Sequence, residues 1–162
     1  FLYLISWFGE IQMTTKMLEE DVRNNSAWNH RYYVLLETGK MKEDDFLEKE
    51  VDFCLSKIKL APNNESAWNY LRGILREFGI TKNKNVNDYC EEMLKNNTAN
   101  CHLMNFVIDC LEQTLRESET LDQNLVKKAV DLTIKLETEV DTLRKNYWCF
   151  VRKSFIEEFG EQ

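Results

Sequence analysis

The sequence DVRNNSAWN occupies residues 21–29, and forty positions later APNNESAWN occupies residues 61–69. The two stretches share asparagine, serine, alanine, tryptophan and asparagine at matching places, and a matching leucine follows each of them, at Leu35 and Leu75. A fixed period of 20 to 50 residues is typical of a solenoid, in which stacked supersecondary units bury a continuous core. The repeat therefore predicts a solenoid, and the spacing of its apolar residues predicts that each unit is a helical hairpin.

The repeated stretch has the chemistry of a helix start. An asparagine just ahead of an apolar run accepts hydrogen bonds from the unpaired N–H groups of the first turn, and Asn24 and Asn64 occupy that place. Trp28 and Trp68 follow one turn later, where a large ring can wedge between adjacent hairpins. We therefore predict that these four residues pack the repeats together.

The remaining sequence also has helical periodicity. A single proline and five glycines argue against an all-β design, which needs many tight turns. Gly39 and Gly79 are typical signals of a helix end, and a break is expected near Gly9. The pattern predicts helices over residues 10–21, 26–37, 44–60, 66–78, 86–94, 101–116, 125–140 and 141–159.

These elements predict an all-α fold, a right-handed superhelical solenoid or crescent of antiparallel helical hairpins of the tetratricopeptide-like kind. We predict a single helical-repeat domain over residues 1–162. Clear repeats lie at about 10–39 and 44–79, and degenerate repeats lie at 83–116 and 121–159. Aligning Asn96 with Pro62 puts His102 at the tryptophan position of the third repeat.

Composition excludes several classes of function. A net charge of −7 disfavours nucleic-acid binding, because phosphate contacts need clustered lysine and arginine. Five cysteines with no Cys-x-x-Cys pair predict reduced thiols in a cytoplasmic protein. Two histidines give no zinc signature, and no phosphate loop or hydrolase motif is found. The longest apolar run is too short to span a membrane.

Three runs carry a family resemblance. NNSAWNHRY at residues 24–32 and NNESAWNYLRGIL at residues 63–75 resemble the repeat of protein prenyltransferase α subunits. The second run is similar to the α subunit shared by protein farnesyltransferase and type I protein geranylgeranyltransferase, and DTLRKNYW at residues 141–148 resembles the last helix of that subunit. The resemblance covers the whole chain, with its least specific part between residues 79 and 120.

The resemblance implies one half of a heterodimer. The α subunit wraps around a β subunit, and the pair transfers farnesyl or geranylgeranyl from its diphosphate to the cysteine of a C-terminal Cys-a-a-X sequence. Zinc and magnesium are expected in the holoenzyme, with zinc on the β subunit and no cofactor on this chain. We predict that the isolated chain is inactive as a transferase.

Family members present repeats reading Lys-Asn-Tyr-x-x-Trp to the isoprenoid diphosphate, and this chain departs from that pattern. The lysine and tyrosine positions hold Arg23 and Asn25 in the first repeat, and Asn63 and Glu65 in the second. We therefore assign no catalytic residue here. We expect that the catalytic repeats are the missing N-terminal repeats of the full subunit. On this prediction, the present chain is the C-terminal part of the subunit.

The resemblance instead implies a subunit interface on this chain. The helices that begin near residues 26 and 66 would line the concave side, toward the β subunit. Few residues of an obligate interface act as strong anchors, and we expect Arg31 and Tyr70 to be the anchors. The candidate contacts are Asn29, His30, Arg31, Asn69, Tyr70 and Arg72.

Two alternatives stay open. The α subunit of Rab geranylgeranyltransferase shares the repeat type but carries additional domains. A tetratricopeptide-like scaffold would bind peptides and belong to no enzyme, but its usual period is about 34 residues, which fits the forty-residue spacing poorly.

Overall fold

The computed structural model describes residues 2–76, 78–96 and 100–160, with side chains from residue 7 onward, and within these ranges it contains helices and no strand. The all-α prediction is therefore confirmed. None of the described helices is both long enough and apolar enough to cross a membrane. The helices are α1 (Leu2–Glu20), α2 (Asn25–Thr38), α3 (Asp44–Leu60), α4 (Glu65–Leu75), α5 (Lys84–Lys95), α6 (Cys101–Glu117), α7 (Gln123–Lys135) and α8 (Lys145–Phe159), with 3₁₀ turns at Lys40–Lys42 and Thr142–Arg144 and a π-helical turn at Leu136–Val140.

Contacts divide the chain into two compact units, residues 1–78 and residues 79–162. In the first unit α1 packs against α2, α3 packs against α4, and α2 also packs beside α4. In the second unit α5 packs against α6, α6 against α7, and α7 against α8. Each unit therefore holds two helical hairpins. The single domain over residues 1–162 stays a prediction.

Most predicted helix ends agree with the structure. Helix α3 begins and ends at the predicted residues. Gly39 caps α2 in the left-handed region with φ 67° and Gly79 has φ 89°, conformations that glycine adopts without steric cost. The prediction of a break near Gly9 was wrong, because α1 continues through that glycine without interruption. Glycine weakens a helix interior by only about 1 kcal/mol relative to alanine, and the packing of Trp7 against Phe46 of α3 holds this end of α1 in place.

The predicted register of the third repeat was also wrong. Asn100 caps α6 by accepting hydrogen bonds from the N–H groups of His102 and Leu103, each at 2.9 Å. In the first two repeats the tryptophan lies four residues after the capping asparagine, so the equivalent residue here is the buried Met104. His102 lies two residues too early, because the period shortens from forty to thirty-six residues between Asn64 and Asn100.

The last helix also has a buried tryptophan four residues after its N-cap position. Arg144 precedes α8, and Trp148, four residues later, is fully buried. Its indole N–H donates to the carboxylate of Asp141 at 2.8 Å. Tyr147 and Phe150 on the same helix are exposed, so the aromatic residues of α8 are divided between the core and the surface.

Candidate functional site

Trp28 and Trp68 are held in the same way at the start of α2 and α4. Both rings are buried, at 1% and 0% exposure. Their indole N–H groups donate to the carbonyl oxygens of Val22 and Pro62, each at 2.8 Å. A buried indole N–H needs such a partner. Each ring therefore fixes the turn that precedes its own helix.

The two capping asparagines have different roles. The side-chain oxygen of Asn24 accepts from the N–H of Ala27 at 3.1 Å, as predicted for a cap. Asn64 makes no such bond. Its side-chain nitrogen donates instead to the carbonyl oxygen of Val22, in the preceding repeat, at 2.7 Å. Asn64 therefore joins the two repeats. The Val22 carbonyl accepts one hydrogen bond from Trp28 in its own repeat and one from Asn64 in the next.

This difference predicts that the same substitution has a small effect at Asn24 and a large effect at Asn64. Asn24→Asp keeps the capping oxygen, and aspartate is an equally good cap, so stability should change by less than about 0.5 kcal/mol. Asn64→Asp removes the donor and sets a carboxylate oxygen against the Val22 carbonyl, so the free energy of unfolding should fall by about 1–3 kcal/mol. Urea unfolding of the two variants measures the difference, and equal effects would contradict the assigned roles.

Arg31 and Glu50 form a buried ion pair between α2 and α3. Both residues are 4% exposed. The Nε atom of Arg31 donates to Oε1 of Glu50 at 2.5 Å, and its Nη2 atom donates to Oε2 at 2.8 Å. This two-point geometry is the strongest form of a hydrogen-bonded ion pair.

The rest of the guanidinium of Arg31 binds α1. Its Nη1 atom donates to the carbonyl oxygen of Ile11 at 3.1 Å and to the hydroxyl of Thr15 at 2.8 Å. The hydroxyl of Thr14 lies 3.3 Å from the same nitrogen. The ring of Phe53 lies 4.1 Å from the guanidinium carbon, at cation–π distance. The buried cation on α2 therefore binds both α1 and α3.

Tyr70 connects α4 to the same cluster. Its hydroxyl donates to Oε1 of Glu50 at 2.5 Å. Burial, followed by the charge of Glu50, raises the pKa of Tyr70 well above its usual value, so the phenol stays a donor. Burial alone lowers the pKa of Arg31, but its hydrogen bonds to Glu50 and the charge of Glu50 outweigh burial and raise that pKa. We call Arg31, Glu50 and Tyr70 the buried triad.

The buried triad changes the predicted interface. Arg31 and Tyr70 were expected to anchor a partner subunit, but both are 4% exposed within this chain and are bonded to Glu50. Their side chains therefore hold the four helices of the first unit together and offer almost no surface to a partner. Glu50 was missed, although it falls within the apolar stripe of α3, where a carboxylate needs a buried cation.

The other predicted contacts lie at the surface. Asn29 and Asn69 are exposed, one residue after each buried tryptophan. His30 is bonded to Glu10 of α1 at 2.6 Å, and both side chains are partly exposed. Arg72 lies 3.4 Å from the side-chain oxygen of Asn69. That these residues contact a β subunit stays a prediction.

A groove separates α2 from α4 at this surface. Its first cavity has a volume of about 270 Å³, and its second, of about 430 Å³, adjoins it. Tyr32 and Gly73 line both cavities. The first cavity is lined by Asn25, Trp28, Asn29, Tyr32, Ser66, Asn69, Tyr70 and Gly73. We call this first cavity the amide groove.

Gly73 lets the ring of Tyr32 cross the groove. A Cβ atom at position 73 would lie 2.7 Å from Cε2 of Tyr32, closer than two carbon atoms can approach. Glycine in a helix interior is otherwise unfavourable. The glycine is therefore explained by the close approach of the Tyr32 ring.

We expect the effect of Gly73→Ala to change sign with residue 32. With Tyr32 present, the methyl group overpacks the contact, and stability should fall by about 1–3 kcal/mol. In the Tyr32→Ala background the methyl group has room, and the higher helix propensity of alanine should raise stability by about 0.5–1 kcal/mol. A double-mutant cycle by thermal unfolding tests this, and additive effects would exclude the proposed contact.

Comparison with known proteins identifies the repeats. Residues 7–38 and 47–78 match the family described as the protein prenyltransferase alpha subunit repeat, and the matches fall on the α1–α2 and α3–α4 hairpins. Over 149 residues the chain is 34% identical to the protein farnesyltransferase/geranylgeranyltransferase type-1 subunit alpha of Dictyostelium discoideum. The alignment covers 89% of this chain and 44% of that protein. The chain belongs to the protein prenyltransferase α-subunit family.

Other members of the prenyltransferase α-subunit family agree in extent. The protein of the same name from Pisum sativum is 30% identical over 164 residues, covering 91% of this chain and 48% of that protein. In a solved structure described as Candida albicans protein geranylgeranyltransferase-I complexed with GGPP, one chain matches with a TM-score of 0.75 at 22% identity, over 91% of this chain and 46% of its own. This likeness shows the helical-hairpin fold. The present chain spans about half the length of these relatives.

The positions where the prenyltransferase α-subunit pattern has lysine and tyrosine have other roles here. Arg23 is exposed in the turn before α2, and its backbone N–H donates to the side-chain carboxylate of Asp21 at 2.9 Å. The side-chain oxygen of Asn25 accepts from the hydroxyl of Ser66, at the start of α4, at 3.1 Å. Asn25 therefore closes one end of the amide groove.

The described residues contain no metal centre. Among them, no group of three or more histidine, cysteine, aspartate or glutamate side chains lies close enough together to hold a metal ion. All five cysteines are free thiols, and Cys54 and Cys90 are buried. Cys90 and Cys110 line a cavity of about 280 Å³ in the second unit. Burial, followed by the neighbouring Cys110, raises the pKa of Cys90 to about 12, so this thiol is a poor nucleophile and metal ligand at neutral pH.

Proposed function

We propose that this chain is the C-terminal part of the α subunit of a heterodimeric protein prenyltransferase. The holoenzyme attaches farnesyl or geranylgeranyl to the cysteine of C-terminal Cys-a-a-X sequences. The observation that carries the proposal is the alignment of farnesyltransferase/geranylgeranyltransferase type-1 α subunits with about nine-tenths of the chain, together with family repeats on both hairpins of the first unit.

Within that enzyme the chain acts as a scaffold for the β subunit. At the lysine and tyrosine positions of the repeats, Asn25, Asn63 and Glu65 have neither a cationic group nor a phenol to bind an isoprenoid diphosphate. Arg23 is cationic, but it lies in the turn before α2. The buried triad keeps the two hairpins of the first unit in a fixed arrangement. Such rigidity favours a role in presenting a preformed surface, because ordering mobile side chains at an interface lowers affinity.

The chemistry of transfer then belongs to the β subunit and to repeats outside this chain. We propose that the zinc ion lies on the β subunit, where it would stabilise the cysteine of the protein substrate as a thiolate. The reduced cysteines of this chain accord with a cytoplasmic location, which we also propose.

Co-purification with a β subunit tests this function. The longest native chain containing this segment would be co-expressed with candidate prenyltransferase β subunits, and the eluted complex assayed for prenyl transfer to a Cys-a-a-X peptide. We expect a one-to-one complex with zinc-dependent activity, and no activity from the α chain without a β subunit. Failure to bind any of these β subunits would instead favour a free helical-repeat scaffold.

A further inference from the structure

The second unit contains a cavity that two cysteine thiols share. Residues of α5, α6 and α7 line it, and its volume of about 280 Å³ is close to the lower limit of about 300 Å³ for small-ligand pockets. Cys90 of α5 and Cys110 of α6 are both part of its wall. We call this space the thiol cavity. A group bonded to the sulfur of one of these residues therefore has room beside it.

The two thiols differ in their access to solvent. Cys90 is 6% exposed, whereas Cys110 is half-buried. Burial raises the pKa of Cys90 to about 12, which leaves little thiolate at neutral pH. Lys128 also lines the thiol cavity, and reactive cysteines are typically partly exposed and close to such a cation. Cys110 is therefore the thiol of this cavity that can react.

The charged residues of the thiol cavity have opposite signs. Lys128 of α7 and Glu91 of α5 both line the cavity and are exposed, so their charged groups lie at its mouth. Glu91 is paired only loosely, with Lys95 at 3.7 Å. A ligand with both a carboxylate and an ammonium group matches this pair of charges. A short peptide carries both groups.

The polar share of the wall argues against an acyl chain as the occupant. Only four of the eleven described lining residues are aliphatic, so a hydrocarbon chain would bury polar groups of the wall without hydrogen-bond partners. Thr81, Asn87 and Thr114 bring hydroxyl and amide groups that suit peptide bonds. The aliphatic residues are Leu94, Val107, Leu111 and Leu125. The occupant that fits is a small peptide.

We propose that Cys110 is a site of reversible modification, at which a glutathione-like peptide forms a mixed disulfide and lies in the thiol cavity with a carboxylate on Lys128. Mixed disulfides with glutathione are among the reversible modifications of cysteine. Cys90 is too poor a nucleophile to displace the peptide, so the modified form persists. The inference goes beyond the proposed function and does not depend on it, because it concerns residues of the second unit alone.

The step is a thiol–disulfide exchange with glutathione disulfide as the oxidant. The thiolate of Cys110 attacks one sulfur of glutathione disulfide, whose S–S bond breaks as the new S–S bond to Cys110 forms. The second glutathione leaves as a thiolate and takes up the proton that Cys110 lost. The Cys110 sulfur is oxidised and the released glutathione sulfur is reduced, so an excess of reduced glutathione reverses the step.

Peptide mapping by mass spectrometry tests the site. The longest native chain containing this segment would be incubated with glutathione disulfide, and the modification of each cysteine followed over time. Cys101 and Cys149 are internal controls, since both are half-buried but lie outside the thiol cavity. We expect Cys110 to react about tenfold faster than either control, the increase that one or two polar contacts give to binding. Equal rates, or a disulfide between Cys90 and Cys110 as the product, would overturn the inference.

A change of charge at Lys128 tests how the peptide is held. We expect Lys128→Gln to slow the reaction of Cys110 with glutathione disulfide about two- to fivefold, as the loss of an exposed ion pair predicts. Its reaction with the uncharged bis(hydroxyethyl) disulfide should not change. Lys127→Gln removes the same charge from an exposed neighbour outside the cavity and should change neither rate. Equal slowing of both reagents by Lys128→Gln would show that Lys128 acts on the thiol alone, and would overturn the binding of the peptide in the cavity.

Discussion

Replacing Glu50 with alanine should lower the free energy of unfolding by about 3–5 kcal/mol, one of the two largest effects that we expect in this protein. The substitution leaves the guanidinium of Arg31 buried without its counter-charge. Arginine stays protonated in proteins, so the side chain cannot escape this cost by becoming neutral. Urea unfolding of the full-length chain measures the loss. A drop below about 1 kcal/mol would show that the ion pair is solvated in solution.

Two further variants separate the charge from the shape. In the double variant Arg31→Met/Glu50→Leu both charges are absent, so most of the stability should return, because apolar residues of similar volume often replace a buried ion pair without loss. Tyr70→Phe removes one charge-assisted hydrogen bond and should cost about 1.5–3 kcal/mol. Tyr33→Phe is its matched control, since Tyr33 is 59% exposed, and it should have no measurable effect.

Trp68→Ala should be comparably destabilising, by about 3–5 kcal/mol. The ring is 0% exposed in the core of the first unit, so its removal leaves a large cavity. Trp68→Phe keeps most of the volume but leaves the carbonyl of Pro62 without the indole N–H, and should cost about 1–3 kcal/mol. Thermal unfolding of the two variants ranks these effects.

Phe150→Ala is the control for the loss of a large aromatic ring. Phe150 is 66% exposed on α8, so its removal should change stability by less than about 0.5 kcal/mol. If Trp68→Ala were equally mild, the repeated tryptophan could not be the residue that sets the packing of the hairpins.

Local signals predicted much of the fold. The capping asparagine, the tryptophan one turn later and the glycine at the helix end each act through nearby backbone. Asn24, Trp28 and Gly39 can therefore be predicted from the local sequence alone. Gly9 misled the prediction because a glycine with no positive φ and no close neighbour gives no reason for a helix to end. The third repeat was misplaced because several asparagines compete for the capping position between residues 96 and 100.

The buried triad could have been found by comparing two helices. Arg31 lies three residues after Trp28 on the same face of α2, and Glu50 lies within the apolar stripe of α3. An unmatched charge in each of two apolar stripes indicates a buried pair, since neither charge is tolerated alone. The pattern of α2 alone places Arg31 at the surface, and the pattern of α3 alone does not single out Glu50. The groove itself could not be predicted, because the approach of Tyr32 to Gly73 depends on how α2 and α4 pack.

The carbonyl of Val22 limits where this protein can change in length. It accepts from Trp28 in its own repeat and from Asn64 in the next, so the path between Val22 and Asn64 must keep its geometry. An extra residue within α3 would turn everything after it by about 100° about the helix axis and carry Asn64 away. An extra residue in the connection at 39–43 can be absorbed by the loop. Insertions and deletions among natural homologues should therefore collect in that connection and be rare within α2 and α3.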